Sequence, residues 1–423
     1  MSNTVKVQPD LKFVKELQAV GGDSLKKCYQ CATCSVVCPL SPDDNPYPRK
    51  EMVWAQWGLK DRLVNDIDIW LCHNCGTCSD LCPRGAKPGD MLSALRNMAY
   101  RNLAPLPIIG KLMSSSAGML PLAAVPALLY GIIWVIMAGK LGSALPTFEW
   151  NEAAHAWNPV ADGIIVFGGL FPGDFTIDPI FILVFAFMLW GFYAGVRNML
   201  KAFDGQPKTF IVGRKEEPCF CAALIDTVKY EILQHTQFND CNDDTSDELD
   251  VKRAGGHKML MFAFIALMVV TGVVASGHWG GWLFRTLGMH GLGDILSAIG
   301  HTPMPIYHPI KLLAFLGAGL GVYGLVALTK RRVNLDQAKQ SSNWYDWYLI
   351  TLIWTIFLTG IGAFIFRVMG VALLAYPVYY IHLIAVFMML AYLPWSKLGH
   401  LVYRTVALSY AKKIGRIPMG ADK

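Results

Sequence analysis

Eight cysteines fall into two runs of identical spacing, Cys28, Cys31, Cys34 and Cys38, then Cys72, Cys75, Cys78 and Cys82. Each run is closed by a proline, Pro39 and Pro83, giving C-x2-C-x2-C-x3-C-P twice. Such a run binds [4Fe–4S] iron: its first three thiolates wrap one cluster and the fourth reaches across to the other. The spacing therefore assigns Cys28, Cys31, Cys34 and Cys82 to one cluster, and Cys72, Cys75, Cys78 and Cys38 to the second. Structural zinc also uses C-x2-C pairs, but it sets the pairs apart by a long spacer that is missing here. The chemistry expected is one-electron transfer.

Histidines form the second set. An ionisable side chain within an apolar span is costly and points to function. His257 opens one apolar stretch, His278 follows its far end, His382 lies inside another, and His400 stands at that one's end. On one continuous helix His382 and His400, 18 residues apart, share a face across five turns. His257 and His278, 21 apart, match that separation in the opposite direction. Two facing helices of this kind form a di-haem cytochrome b, with His257 and His400 on an inner haem and His382 and His278 on an outer one. The plainer alternative for His257, His278 and His400 is an interfacial side chain without a ligand.

These residues need a membrane arm and a polar domain to hold them. Apolar residues make up 54% of 423 and charged residues only 16%, more apolar than a soluble chain of this size. Residues 1 to about 110 read as a helical soluble domain, with Asp10 capping a short helix, an amphipathic helix over 49–64 and another after Pro88. Six apolar stretches follow, at about 119–139, 177–200, 257–277, 308–329, 345–369 and 372–396. The fold class expected is all-α, a two-cluster ferredoxin domain (1–110) ahead of six transmembrane helices. The first two helices occupy 111–201 and the haem-binding four occupy 256–410, with a tail at 411–423. Lys330, Arg331 and Arg332 after the fourth span and Lys397, Arg404, Lys412 and Lys413 after the sixth contrast with a 141–176 loop without Lys or Arg. This bias puts both termini, and hence the clusters, in the cytoplasm. The N-terminus has no apolar segment of the signal-peptide kind. An acidic cytoplasmic connection, 202–255, carries Cys219, Cys221 and Cys241, read as free thiols facing a partner.

The cysteine runs in a helical setting resemble the ferredoxin domain of heterodisulfide reductase C subunits. The segment 382–400, with Pro394, Trp395, Ser396, Lys397, Leu398 and His400, is similar to the last helix of nitrate reductase gamma-type cytochromes b. That family pairs its last histidine with one opening an earlier helix, as His257 does. It places another ten residues further on, where this chain has Leu267, so the outer ligand is expected to be His278, with His308 as the alternative. The whole arrangement resembles the C-subunit family of the quinone-interacting membrane-bound oxidoreductase (Qmo) complexes of sulfate-reducing organisms, a fusion of heterodisulfide reductase C- and E-type parts. The resemblance implies two haems b and two [4Fe–4S] clusters. It also implies menaquinone or menaquinol as substrate and cytoplasmic flavin/iron–sulfur partners of the heterodisulfide reductase A type, with adenylylsulfate reductase beyond them.

A quinone site is expected at the outer start of the fourth span. There Lys311 could bond a carbonyl and His308 could take the hydroquinone proton. A snorkelling lysine is the bland alternative, and Arg367 is a weaker candidate. Two rival functions are a redox-passive anchor, which has no use for buried histidines, and a transporter, which would show internal repeats.

Overall fold

Asp10 accepts a hydrogen bond from the Phe13 amide at 2.9 Å and so caps α1 (Leu11–Ala19). The structure, a computed structural model, describes residues 8–43, 45–152, 156–205, 218–236, 248–300, 303–337 and 340–420. The expected 49–64 helix is two pieces, α2 (Arg49–Gln56) and Lys60–Val64, because Gly58 turns the chain at φ +68°. Pro88 occupies the first turn of α3 (Pro88–Leu103), where its missing N–H costs nothing. In each run the first two cysteines precede a one-turn helix, Thr33–Val36 or Thr77–Asp80, the third lies within it and the fourth follows it.

Among the described residues, six helices are long and apolar enough to cross a membrane: α4 (Ser116–Leu141), α5 (Asp178–Asp204), the Arg253–Thr286 part of α6 (Glu248–Thr286), α7 (Pro309–Val333), α8 (Trp344–Val368) and α9 (Ala372–Ala391). α6 and α7 approach backbone to backbone, and a Cβ on Gly324 would lie 2.7 Å from Gly256 O. Small residues permit this contact, which seats His257 beside α7. The chain is not wholly helical. An antiparallel hairpin, β1 (Thr147–Asn151) with β2 (Ala156–Val160), joins α4 to α5, with Thr147 opposite Val160.

One sequence expectation fails. The last apolar stretch is not a single helix through His400. Pro394 has no N–H to continue the ladder, so α9 stops at Ala391. Two short 3₁₀ turns follow, and His400 opens a separate helix, α10 (His400–Lys413). His382 and His400 therefore stand on different helices, and the five-turn register does not exist. The break is held on both sides. The buried Trp395 donates from Nε1 to Pro105 O at 2.6 Å, and Lys397 binds Asp346 in the first turn of α8.

α10 returns the chain to the cluster domain. Its Tyr403 packs against Trp70 and Tyr100, with ring centroids 5.9 and 5.8 Å apart, so one apolar core spans the cluster domain, α5 and α10. Beyond it the buried Arg416 forks Asp68, Nε to Oδ1 at 3.0 Å and Nη2 to Oδ2 at 2.7 Å. Removing one partner of a buried pair strands the other charge and costs about 3–5 kcal/mol. Arg416→Ala is expected to lower the temperature at which the cluster absorbance bleaches, and Asp68→Asn in the same chain to restore part of it.

Candidate functional site

The two cysteine loops repeat in backbone as well as sequence. Gln30 and Ala32 in one, and Asn74 and Gly76 in the other, adopt left-handed φ of 70°, 71°, 53° and 97°. Alternating backbone of this kind turns amides toward a common centre, which suits an anionic sulfur cluster. For Gln30 and Ala32 the conformation costs roughly 1–2 kcal/mol each. It is held by Arg49, which donates from Nε to Gln30 O at 3.0 Å, and by Gln56, which donates to Cys28 O at 2.6 Å. Thr33 lies 3.3 Å from Cys31 Sγ and Thr77 lies 3.5 Å from Cys75 Sγ, at the same offset in each loop.

The fold brings the eight thiols together crosswise. One cavity is lined by Cys28, Cys31, Cys34 and Cys82, and the other by Cys38, Cys72, Cys75 and Cys78. Burial pushes the Cys34 and Cys38 thiols up to about 12, and neighbouring sulfurs add to the shift. Iron held by these thiols would have to displace those protons. The other dense group of carboxylates, Glu51, Asp66 and Asp68, is already served by Lys50. Its ammonium bonds Asp68 and lies 3.3 Å from Glu51.

The rings of His257 of α6 and His400 of α10 lie beside each other edge-on, with centroids 6.2 Å apart. His400 Nδ1 is 2.8 Å from Lys397 O and so carries the ring proton, which leaves Nε2 as the electron-pair donor. His257 Nδ1 is 3.0 Å from Nε2 of His235, a buried residue with left-handed backbone (φ 58°) just beyond the helical segment Thr227–Leu233. Burial pushes His235 and His400 each down to about 4, so both imidazoles are neutral at pH 7. His235 is a functional candidate that sequence reasoning missed. It lies 22 residues from His257 in a polar connection, where no periodicity or motif marks it.

The helices that carry this histidine pair also hold the second cysteine loop. Arg253, one turn before His257, donates to His73 O at 2.6 Å and Asn74 O at 3.1 Å. Arg404, one turn after His400, contacts His73 Nε2 at 2.6 Å and donates to Leu71 O at 3.0 Å. Burial, with Arg404 and Arg253 next, drives His73 well below the ordinary imidazole range, so its Nε2 is an acceptor. The sequence marked Arg404 only as one of several cytoplasmic charges.

His382 is half-buried on α9, its Nδ1 3.1 Å from Ile356 O and 3.0 Å from Thr359 Oγ1 on α8. The structure does not bring His278 or His308 to it. His278 lies within α6, whose helix runs on to Thr286, and its Nε2 is 2.8 Å from Asp174. His308 caps α7 by accepting from Ile310 N at 3.3 Å. Lys311 Nζ sits 4.5 Å from the Phe364 ring centroid, and Arg367 donates to Ile165 O at 3.2 Å. Cys219 and Cys221 are exposed, Cys219 capping the helix Phe220–Asp226. Cys241 lies outside the described residues.

Comparison with known proteins bears on the first of these sites. Residues 24–86 match the profile of the 4Fe-4S dicluster domain. The chain is 40% identical over 93 residues to the C subunit of the H(2):CoB-CoM heterodisulfide,ferredoxin reductase of Methanothermobacter marburgensis, covering 22% of this chain and 50% of that protein. It is 40% identical over 78 residues to the iron-sulfur C subunit of the CoB--CoM heterodisulfide reductase of Methanopyrus kandleri, covering 18% and 41%. The chain thus spans about half the length, or less, of the curated relatives it matches. No solved structure matches. The N-terminal part is an iron–sulfur electron-transfer domain similar to heterodisulfide reductase C, joined in this chain to membrane-type helices.

Proposed function

We propose that this chain is the membrane subunit of a quinone-linked oxidoreductase. It exchanges electrons between menaquinone or menaquinol and cytoplasmic flavin/iron–sulfur partners of the heterodisulfide reductase A type, toward adenylylsulfate reductase. Cys28, Cys31, Cys34 and Cys82 hold one [4Fe–4S] cluster, and Cys72, Cys75, Cys78 and Cys38 hold the other. His257 and His400 hold an inner haem b. His382 holds an outer one, whose second ligand is His278 or His308 after one of them leaves its present partner. The bound iron supplies one-electron carriage, and both termini lie on the cytoplasmic side.

The observation that carries this reading is the adjacent pair His257 and His400. Two imidazoles that held one metal through nitrogens about 2 Å from it would have their centres roughly 6 Å apart, and the His257 and His400 rings are 6.2 Å apart. A ring proton fixed on Nδ1 by a carbonyl, as in His400, raises the basicity of Nε2 and sets the ring's direction. A passive anchor gains nothing from such a pair.

A joint assay of haem b and non-haem iron on the purified chain tests the reading. Two haems and about eight cluster irons are expected. Intact clusters without haem would overturn it. At the outer end, Lys311 is assigned to a quinone oxygen, with His308 taking the hydroquinone proton. Lys311→Ala should slow haem reduction by a menaquinol analogue while leaving haem spectra and dithionite reduction unchanged. An unaltered quinol rate returns Lys311 to the lipid interface, where its ammonium lies over the Phe364 ring.

A further inference from the structure

The two cysteine sets are placed differently with respect to the membrane arm. Around Cys72–Cys78, contacts from beyond residue 250 converge. Arg253 and Arg404 grip the His73–Asn74 backbone and ring, and Gln340 donates to Asn74 O at 2.8 Å. A Cβ on Gly76 would meet Gln340 Nε2 at 2.6 Å, so this side chain roofs the loop closely. Ser341 donates from both N and Oγ to Asp90 Oδ2, at 2.8 and 2.7 Å, beside the same loop. The Cys28–Cys34 loop is different. Apart from Thr33 on Cys31, its side-chain hydrogen bonds involve Arg49 and Gln56, inside the cluster domain, and among the described residues none comes from beyond residue 110. Cys31 is exposed, as are Tyr29 and Arg84, which line the same cavity.

We propose that the cluster of Cys38, Cys72, Cys75 and Cys78 exchanges electrons with the membrane arm, and that the cluster of Cys28, Cys31, Cys34 and Cys82 is the outlet on which an acidic redox protein docks. This deepens the electron-transfer reading above and rests on it. The arm side follows from covalent continuity: Arg253 and Arg404 are one turn from His257 and His400, so these helices fix the Cys72–Cys78 loop rigidly against the histidine pair. The partner's charge follows from the outlet cavity, whose charged lining residues are Arg49 and the exposed Arg84, with no carboxylate beside them in the lining. Basic rims steer acidic partners and are screened by salt. One electron moves per step: the donor side loses one, each cluster in turn gains and loses one, and the external oxidant gains it.

Paramagnetic resonance on the reduced full-length protein tests the order. Cys31→Ser and Cys75→Ser first assign which signal belongs to which cysteine set. An external dysprosium chelate is then expected to broaden the Cys31-set signal, while oxidised haem speeds relaxation of the Cys75-set signal. In a second test, on a surface variant that preserves the fold, Arg84→Glu should slow oxidation of the reduced protein by anionic ferricyanide roughly tenfold at low salt. Oxidation by cationic hexaammineruthenium(III) should not slow. The reverse chelate pattern, equal broadening of both signals, or equal response of the two oxidants overturns the proposal. Loss of the haem bands would instead count against the underlying haem reading, and the chelate result would still rank the two clusters by exposure.

Discussion

Cys82→Ser is expected to empty the cluster held by Cys28, Cys31 and Cys34 and to spare the one built by its own sequence neighbours. The chain between the two runs folds back through α2 and Lys60–Val64, which sets the one-turn helices Thr33–Val36 and Thr77–Asp80 side by side. Cys82 thereby lines the cavity of the first run, and Cys38 lines that of the second. Cys82 Sγ also accepts from the Ala86 amide at 3.3 Å, which sets the thiolate's direction toward that cavity. A serine oxygen is a harder and far less acidic ligand than a thiolate, so about four of eight irons should go. The measurement is iron content with paramagnetic resonance of the remaining cluster. Cys38→Ser should give the mirror result, and loss of the Cys72, Cys75 and Cys78 signal in Cys82→Ser would refute the crosswise assignment.

The cluster domain was the most legible part because cluster ligation is written in local spacing, with four ligands inside eleven residues. The apolar spans were legible for a similar reason, since length and hydropathy are properties of a window. What escaped the sequence depends on contacts between distant residues. The break after Ala391 had its cause in view at Pro394, yet apolar residues continue through Trp395 and mask it. Reading one helix there put His382 and His400 on one face, whereas the structure gives them different partners. His382 leans on α8 through Ile356 and Thr359, while His400 leans on its own turn and lies beside His257 of α6. His235 carried no signal, because its role exists only once the connection folds under His257. The β1–β2 hairpin was hidden by its brevity, five residues per strand in a loop read by its charge.

The same contacts show why the histidine pair is fixed from three directions. α6 is pinned to α7 through Gly256 and Gly324, which sets the height of His257. α10 is pinned to the cluster core through Tyr403 and to the polar connection through the buried Lys412, bonded to Asp226 at 2.7 Å and Glu231 at 3.2 Å. The connection in turn delivers His235. Metal sites demand such support, because a ligand ring left free to rotate loses affinity even when its donor atom is intact.

His400→Ala is therefore expected to have the largest effect in the membrane arm. The imidazole is neutral at pH 7, its Nδ1 proton is committed to Lys397 O, and Lys397 is itself tied to Asp346 of α8. The ring is thus held in place before any iron arrives, and alanine removes both the donor atom and the ring that fills the space beside His257. One of two haems should be lost, with the His382 haem kept and both clusters still reducible by dithionite. Cluster reduction by a menaquinol analogue should fall by more than the loss in haem, because the remaining haem has no neighbour to pass electrons to. His235→Ala offers the graded comparison: it leaves the His257 and His400 rings but frees His257, so binding of the proposed inner haem should weaken about 10–100-fold with its potential displaced. A full complement of haem in His400→Ala would show that the ring beside His257 is not a ligand, and the inner site would have to be sought on other residues.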